Sequence, residues 1–565
     1  MSDPGTSSVA EVLAKTLKSY GTELFFCVTG GDQALWLALR DAGIRVVNCR
    51  SEKAATYMAD GYARMSGRPG FVYGQYGPGV ANVAAGLADP YWGLSPVVSL
   101  TSSMRTPSRD RFEYQELDQL GMHGPVTLWN KGVSVPARAG AMLRAAIRVA
   151  TGQVPGPVHL EIPADVLNAE VGETLVYAEP GAGRVGARRI PPPAGAMREV
   201  VQRLLAAERP VLLAGSGVML SEAWEEFSSF ADALSVPVVT SMGGKGAIAE
   251  ESDLAVGLIG RYSRKVANDV VGEADCVLAI GSRLGGLVTD AWQVLPDEAA
   301  ILHIDADPAI LGHNYREELS VLADAKLALQ EGLAVAGELG GQRARTAWAR
   351  SVAERVQRWR EEVARYEDEE PGDGIHPARV ISALRAALSP DDIVVADTGY
   401  MAAWTGALFP VHVGRNFIRA AGSLGWAYPA ALGAALAAPG RRTVAVIGDG
   451  GIGYHIGELE TAIRAKIPAV AVVLNNGALA FEYHAQRYLW GGRVIPEVND
   501  FHDVDYAAVA RAYGAHGSRV TDPAKLPGVL KEALEMNEPA VIDVVVSKEA
   551  MAPVRNFERI MARSV

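Results

Sequence analysis

Short runs of β-branched and aliphatic residues alternate along the chain with Ala- and Leu-rich stretches whose apolar positions recur at helical spacing. Continuous apolar runs such as PVHLEI (157–162), PVLLAG (210–215), CVLAIG (276–281), TVAVIG (443–448) and VAVVLN (470–475) predict strands buried on both faces. Strands alternating with helices is the pattern of parallel sheets covered by helices, so the expected class is α/β, with doubly wound parallel-sheet domains.

Two breaks divide the pattern. EPGAGRVGARRIPPPAG, from Glu179 to Gly195, is rich in Gly, Pro and Arg and has no apolar periodicity, as an exposed linker would. From Gly341 to about Pro377 a charged stretch, RTAWARSVAERVQRWREEVARYEDEE, precedes the breaker PGDGIHP and reads as a solvated connecting helix. The expected domains are therefore 1–180, 195–340 and 375–550, followed by a tail, 551–565, read as a candidate lid. A length of 565 residues agrees with several domains of about 150 residues each.

Composition narrows the function classes. A net charge of −12, from 53 basic and 65 acidic residues, gives no dense basic footprint and argues against a nucleic-acid partner. Cys27, Cys49 and Cys276 are too few and too scattered for a disulfide framework or a spaced zinc site. The first residues lack the basic and apolar regions of a signal peptide, and no run reaches the ~20 apolar residues of a membrane span. These readings predict a cytoplasmic protein without a membrane partner.

The chemistry is concentrated in the third segment, TVAVIGDGGIGYHIGELETAIRAKIPAVAVVLNNGALAFEYH. One predicted strand ends in Gly448-Asp449-Gly450-Gly451 and the next ends in Asn475-Asn476, so both clusters lie at carboxyl ends of parallel strands, where open α/β sheets bind ligands. Asp449 offers an anionic oxygen, Asn476 an amide oxygen and Ala478 a backbone carbonyl, a donor set suited to Mg²⁺ completed by phosphate and water. The glycines allow close backbone approach, and the helix beginning near Ile452 presents amide groups to an anion.

Gly-Asp-Gly followed by Asn-Asn, with Asn476 coming 27 positions after Asp449, resembles the thiamine diphosphate signature. Over nearly its whole length the chain resembles the acetolactate synthase and pyruvate decarboxylase superfamily. SEKAATYMADGYARMSGRPG resembles that family's Glu-bearing segment, YGPGVANVAAGLADPYWGLSPVVSLT its SGPG segment, and YQELDQ its FQE segment. VPGPVHLEIPADV resembles its GPV-x-x-x-IP-x-D segment, and GSLGWAYPAALGAALA its TMG-x-G-LPAAIGA segment. The resemblance implies pyrimidine-binding, central and diphosphate-binding domains with thiamine diphosphate and Mg²⁺ as cofactors. It further implies a homodimer or dimer of dimers in which different subunits hold the two halves of the cofactor.

Site residues follow from the same resemblance. Glu52 is expected to bind the pyrimidine N1′ across the subunit interface, although any carboxylate in a first helical turn is favoured by the helix dipole. Gly30 and Gly31 resemble the loop that approaches the aminopyrimidine, and Leu424 stands where an apolar residue props the bent cofactor. Gly399 and Tyr400 match a diphosphate-side loop, and Leu479 follows the metal ligands.

Thiamine chemistry makes or breaks a bond next to a carbonyl. Gln115 matches the active-site glutamine of the acetolactate synthase type, which favours decarboxylation of a 2-oxo acid with carboligation. After the metal ligands, however, ALAFEYHAQRY replaces that type's GMV-x-QWQ run, and Glu482 stands at the offset of the decarboxylases' acid/base glutamate. Aldehyde release is therefore an alternative fate, with Glu482, His484 and His455 as candidate proton-transfer groups. Less favoured are a C–C lyase of the 2-hydroxyacyl-CoA lyase or oxalyl-CoA decarboxylase type and, last, a non-catalytic regulatory homologue. In the central segment LLAGSGVML and LAIGSRLGG resemble turns where relatives bind FAD or ADP. The glycine pattern is incomplete as a dinucleotide fingerprint, so a structural domain is the expectation and a bound nucleotide the lesser alternative.

Overall fold

The computed structural model describes residues 6–172, 174–340 and 344–554. The chain forms the expected α/β class, with three six-stranded parallel sheets. In spatial order the first sheet is Arg45–Asn48, Leu24–Cys27, Gly70–Gly74, Val97–Ser103, Val158–Pro163 and Trp129–Gly132. The second is Ala255–Leu258, Val238–Thr240, Pro210–Ala214, Cys276–Ile280, Ala300–Asp305 and Leu319–Leu322. The third is Phe417–Arg419, Ile393–Ala396, Thr443–Gly448, Ala469–Asn475, Ala540–Val545 and His516–Val520. A short antiparallel pair joins Ser7–Ser8 to Glu170–Val171.

The apolar runs become strands because both faces of each sheet are covered. Val211, Leu212 and Leu213 alternate between two separate cores, Leu212 lying with Phe227 and Phe230 on one face and its neighbours with Val270 and Trp359 on the other. Burying each such side chain is worth roughly 1.5–3 kcal/mol.

Two compact units divide the chain. One comprises the residues up to Arg188 with Ala420–Thr443 and Gly453–Ala469; the other comprises Arg189–Arg419, Val444–Ile452 and the chain from Val470. The helices Ala427–Ala437 and Glu458–Ala465, although they lie between strands of the third sheet in sequence, therefore belong to the same unit as the first sheet. Ala427–Ala437 packs backbone to backbone on Glu52–Ser66. A Cβ on Gly61 would lie 2.0 Å from the carbonyl oxygen of Ala430, and one on Gly433 would lie 1.9 Å from that of Met58.

The charged stretch after Gly341 forms the helix Ala347–Ala364, started by the Thr346 side chain, which accepts from the Ala349 amide. It is not solvated all round. Val352, Val356 and Trp359, one helical turn apart, are buried in the core of the central sheet, an apolar stripe hidden in sequence among the charges. Among the described residues no helix is long and apolar enough to cross a membrane. Of the tail expected over 551–565, residues 555–565 lie outside the described residues.

Candidate active site

Each compact unit carries one cluster of the expected site residues. In the first, the helix Glu52–Ser66 starts at Ser51, whose extended backbone (φ −147°, ψ 139°) makes no side-chain cap. Just before it, the Arg50 N–H donates to both oxygens of the Glu458 carboxylate, at 3.0 and 3.2 Å. Glu458 is itself buried and takes a 2.6 Å hydrogen bond from the Thr461 hydroxyl. Burial pushes its carboxyl up to about 7, against the hydrogen bonds that favour the anion.

The half-buried Glu52 carboxylate accepts the side-chain amide N–H of Asn82 at 3.0 Å. A Cβ on Gly79 would stand 3.0 Å from its other oxygen, so the glycine leaves room for the carboxylate. Gly79 and Asn82 lie on the helix Pro78–Gly93, which begins after Gly77 in a left-handed conformation (φ 79°). The Gly77 N–H donates to Gln119 at 2.8 Å, and the Gln119 amide group donates to the Ser102 carbonyl and to Glu161, both at 2.9 Å.

Gln115 is brought against the same turn. Its backbone is left-handed (φ 63°), and a Cβ on Gly77 would meet its own Cβ at 2.6 Å. The Gln115 side-chain oxygen is buried and has no hydrogen-bond partner among the described residues. Gly30 is pressed against Gln75, whose side-chain oxygen would be 2.4 Å from a Cβ there, whereas Gly31 borders open space. Leu424 is half-buried in the loop before Ala427–Ala437. His455 stands edge-on to Tyr57 (5.7 Å between centroids), and burial lowers its pKa to about 4, so it is neutral near pH 7.

The second cluster is built on the third sheet. The strand Thr443–Gly448 runs into the helix Asp449–His455, and the strand Ala469–Asn475 ends one residue before Asn476. The Ala478 N–H is shared by the Asp449 carboxylate (3.1 Å) and the Asn476 side-chain oxygen (3.0 Å), so the side-chain oxygens of these two expected ligands converge on one backbone amide. The Gly450 N–H supplies the other Asp449 oxygen at 3.0 Å. Asp449 is only 4% exposed, and desolvation raises its carboxyl to about 6. A dry carboxylate beside an amide oxygen fits a hard cation such as Mg²⁺, which would offset that cost.

The turn is braced from outside. Leu479 donates its N–H to the Asn499 carbonyl at 2.8 Å, and Phe501 donates to that of Gly477 at 2.7 Å. A Cβ on Gly450 would meet Leu479 at 2.8 Å, and one on Gly451 would meet the Asp397 carboxylate at 2.5 Å; Gly448 is under no such constraint, its nearest neighbour lying at 3.8 Å. The two asparagines do different things. Asn475 turns into the core, donating to Asp543 and to the Val504 carbonyl, each at 3.0 Å.

Gly399 (φ 71°) starts the helix Tyr400–Leu408. The Tyr400 hydroxyl donates to the Ala550 carbonyl (3.1 Å) and accepts the Ala552 N–H (2.7 Å), which ties this loop to the end of the described chain. The structure separates the two polar residues expected of the helix Ala480–Leu489. Glu482 is exposed, whereas His484 is buried among the rings of Tyr400, Tyr483 and Tyr488, where desolvation lowers its pKa to about 4. In the central sheet the glycines of the two turns press on each other, Gly281 Cα lying 2.5 Å from where a Gly217 Cβ would be. That contact gives both glycines a packing role.

Three family descriptions match the chain: "Thiamine pyrophosphate enzyme, N-terminal TPP binding domain" over residues 7–122, the central domain over 197–331 and the C-terminal TPP binding domain over 397–544. The chain belongs to the thiamine pyrophosphate enzymes. Among its relatives in this family, a probable acetolactate synthase large subunit of Methanocaldococcus jannaschii is 32% identical, over 96% of this chain and 93% of that protein. The acetolactate synthase isozyme 3 large subunit of Escherichia coli is 29% identical, over 95% of each. A sulfoacetaldehyde acetyltransferase of Castellaniella defragrans is 30% identical, over 97% of this chain and 94% of that one. Glu52 and Gln115 fall in the N-terminal match to the thiamine pyrophosphate enzymes; Leu424, Asp449, Asn476, Glu482 and His484 fall in the C-terminal one.

Reading the sequence alone missed Gly79, Asn82, Gln119 and Glu458 around the first cluster and Tyr506 and Asp543 behind the second. The first two lie inside the GPG segment already singled out, so that segment was the available signal. Gln119 closes the YQELDQ segment, which was its signal; Glu458, Tyr506 and Asp543 offer no motif of their own, and Glu458 meets Arg50 only through the fold.

Proposed function

We propose that the chain is a thiamine diphosphate- and Mg²⁺-dependent enzyme that decarboxylates a 2-oxo acid. The remaining fragment is ligated to a carbonyl acceptor, as in an acetolactate synthase, or released as an aldehyde. The observation that carries this reading is the convergence of Asp449 and Asn476 on the Ala478 amide at the carboxyl ends of adjacent strands. Its domains are pyrimidine-binding (1–180), central (195–340) and diphosphate-binding (375–550), and it works as a cytoplasmic homodimer or dimer of dimers.

When bound, the cofactor supplies a carbon nucleophile and an electron sink for a bond next to a carbonyl. Asp449, Asn476 and the Ala478 carbonyl hold the metal, with Gly399, Tyr400, Gly448, Gly450, Gly451 and Leu479 around the diphosphate. Glu52 accepts the proton-bearing pyrimidine N1′ and so keeps a proton there, an interaction strengthened by partial burial. Asn82 and Gly79 hold that carboxylate in one place. Gly30 and Gly31 would admit the aminopyrimidine, and Leu424 would support the cofactor. Gln115 offers its unpartnered amide oxygen to the substrate, and Glu482 exchanges a proton with the product. His484, on the same helix and held neutral by burial, is the second candidate for proton transfer.

The test is a circular dichroism titration with thiamine diphosphate and Mg²⁺, followed by pyruvate and other 2-oxo acids with CO₂ release read in parallel. CO₂ from one oxo acid, with product analysis, identifies the donor and separates ligation from aldehyde release. Cofactor binding with no CO₂ from any of them transfers the assignment to a C–C lyase acting on 2-hydroxyacyl substrates. Failure to bind the cofactor leaves only the regulatory homologue.

A further inference from the structure

The loop that carries Leu424 is held by a buried charge cluster that no step above uses. Asp89, 2% exposed near the end of the helix Pro78–Gly93, accepts three consecutive backbone N–H groups. Ala421 donates to one carboxylate oxygen at 2.9 Å, and Gly422 and Ser423 donate to the other at 3.1 and 2.9 Å. Consecutive amides wrapped on one anion form a nest, here with the carboxylate supplied by the protein itself.

The same carboxylate is paired with Arg64 at 2.8 Å, and Arg64 also binds Asp60 through two nitrogens at 2.8 and 2.7 Å. Asp60, fully buried, accepts the indole N–H of Trp426 at 2.9 Å, and the Arg64 guanidinium lies over that ring at 4.7 Å. The cluster therefore grips the loop on both sides of Leu424, at residues 421–423 and at 426. Asp60 and Arg64 stand one turn apart on the helix that Glu52 begins, and the close contacts of Gly61 and Gly433 lock that helix to the one following the loop.

Buried ion clusters are poor sources of net stability, since apolar packing of the same volume is often as good. What apolar side chains cannot do is accept three backbone N–H groups. We propose that Asp89 is a positioning residue for the cofactor: with Arg64 and Asp60 it fixes the Ala421–Ser423 backbone and thereby the place of Leu424. This rests on the assignment of Leu424 as the cofactor's support.

The experiment measures affinity rather than turnover. The full chain, with Mg²⁺, is titrated with thiamine diphosphate and separately with pyrophosphate, which probes the diphosphate side alone, for wild type, Asp89→Asn, Leu424→Ala and the double variant. Asp89→Asn is expected to weaken thiamine diphosphate binding about tenfold, the weight of one charge-assisted hydrogen bond, while pyrophosphate binding is unchanged. The double variant is expected to lose no more than the worse single one, because the two residues act in series. Equal weakening of both ligands, or losses that multiply in the double variant, would overturn the proposal. Amide hydrogen exchange of the unliganded wild type supplies a test that needs no variant to fold. Protected Gly422 and Ser423 amides support the clamp, and fast exchange there refutes it whatever the cofactor does. A wild type with those amides protected but no affinity for thiamine diphosphate would instead show that the functional reading had failed, and the cofactor role of Asp89 with it.

Discussion

The hydroxyl of Tyr506 donates a 3.1 Å hydrogen bond to the backbone carbonyl of Asp449, tying the start of the helix after the third sheet's central strand to a helix 57 positions further along. The Tyr506 amide is itself held at 3.0 Å by Asp543, the residue that also receives Asn475. Tyr506→Phe removes only the hydroxyl. The expected cost is about 1 kcal/mol of stability, with a severalfold rise in the Mg²⁺ concentration needed for cofactor binding. Urea unfolding and a Mg²⁺ titration at fixed thiamine diphosphate measure the two, and an unchanged Mg²⁺ requirement would show that the tether does not serve the metal.

The neighbouring asparagines separate by phenotype. Asn475→Ala leaves the buried Asp543 short of a donor and is expected to cost roughly 1–3 kcal/mol of stability. Asn476→Ala is expected to keep the melting temperature and to weaken Mg²⁺-dependent cofactor binding at least about tenfold, with Asp449→Asn weaker still. Calorimetric melting and isothermal titration on the same samples decide this; the reverse pattern would remove Asn476 from the ligand set.

Glu52→Gln keeps the size of the side chain and removes its charge. Turnover is expected to fall by about 10²–10⁴, the range of general acid–base contributions, while the cofactor still binds. Gly79→Ala, which places a methyl group 3.0 Å from the Glu52 carboxylate, is expected to reproduce part of that loss in a folded protein. Steady-state kinetics at saturating cofactor would reveal it, and wild-type turnover in Glu52→Gln would end the activating role.

Glu458 gives a pH signature. Its carboxyl titrates at about 7 in the folded chain against an ordinary 4.5, so between these values the folded state holds a proton that the unfolded state has released. Its contribution to stability is therefore full below pH 4.5 and is lost as the pH rises through 7. Glu458→Gln removes this slope, so the stability of the variant relative to wild type is expected to climb from pH 4.5 to 8. Taking the difference cancels Asp449, which slopes the same way, and His455 and His484, whose lowered pKa values slope oppositely. Urea unfolding across that range checks it; a flat difference would mean that Glu458 stays ionised throughout.

What could be read in advance follows from the range of the forces involved. PVLLAG and CVLAIG were legible as the strands Pro210–Ala214 and Cys276–Ile280 because a run buried on both faces has to be apolar throughout. Asp449 and Asn476 were legible because each sits beside its own strand end. Which way Asn475 faces was not legible, and only the fold shows it turned toward Asp543, 68 positions away. Glu458 and Asp89 were illegible for the same reason: their hydrogen-bond donors, Arg50 and Ala421–Ser423, lie 408 and more than 330 positions off. Within its own segment each reads as an ordinary acidic residue on a helix. The stripe Val352, Val356 and Trp359 was present in the sequence, but the surrounding charges dominated the reading.

The paired glycines Gly61 and Gly433 also bear on how such a chain can diverge. A methyl group at either position would have to displace the backbone of the facing helix, so neither helix can drift in sequence there while its neighbour stays fixed. Exchanging segments with a distant relative should succeed when both helices travel together and fail when one is swapped alone. The boundary that matters for recombination therefore groups residues 52–66 with 427–437, two pieces that a linear map of the chain assigns to opposite ends.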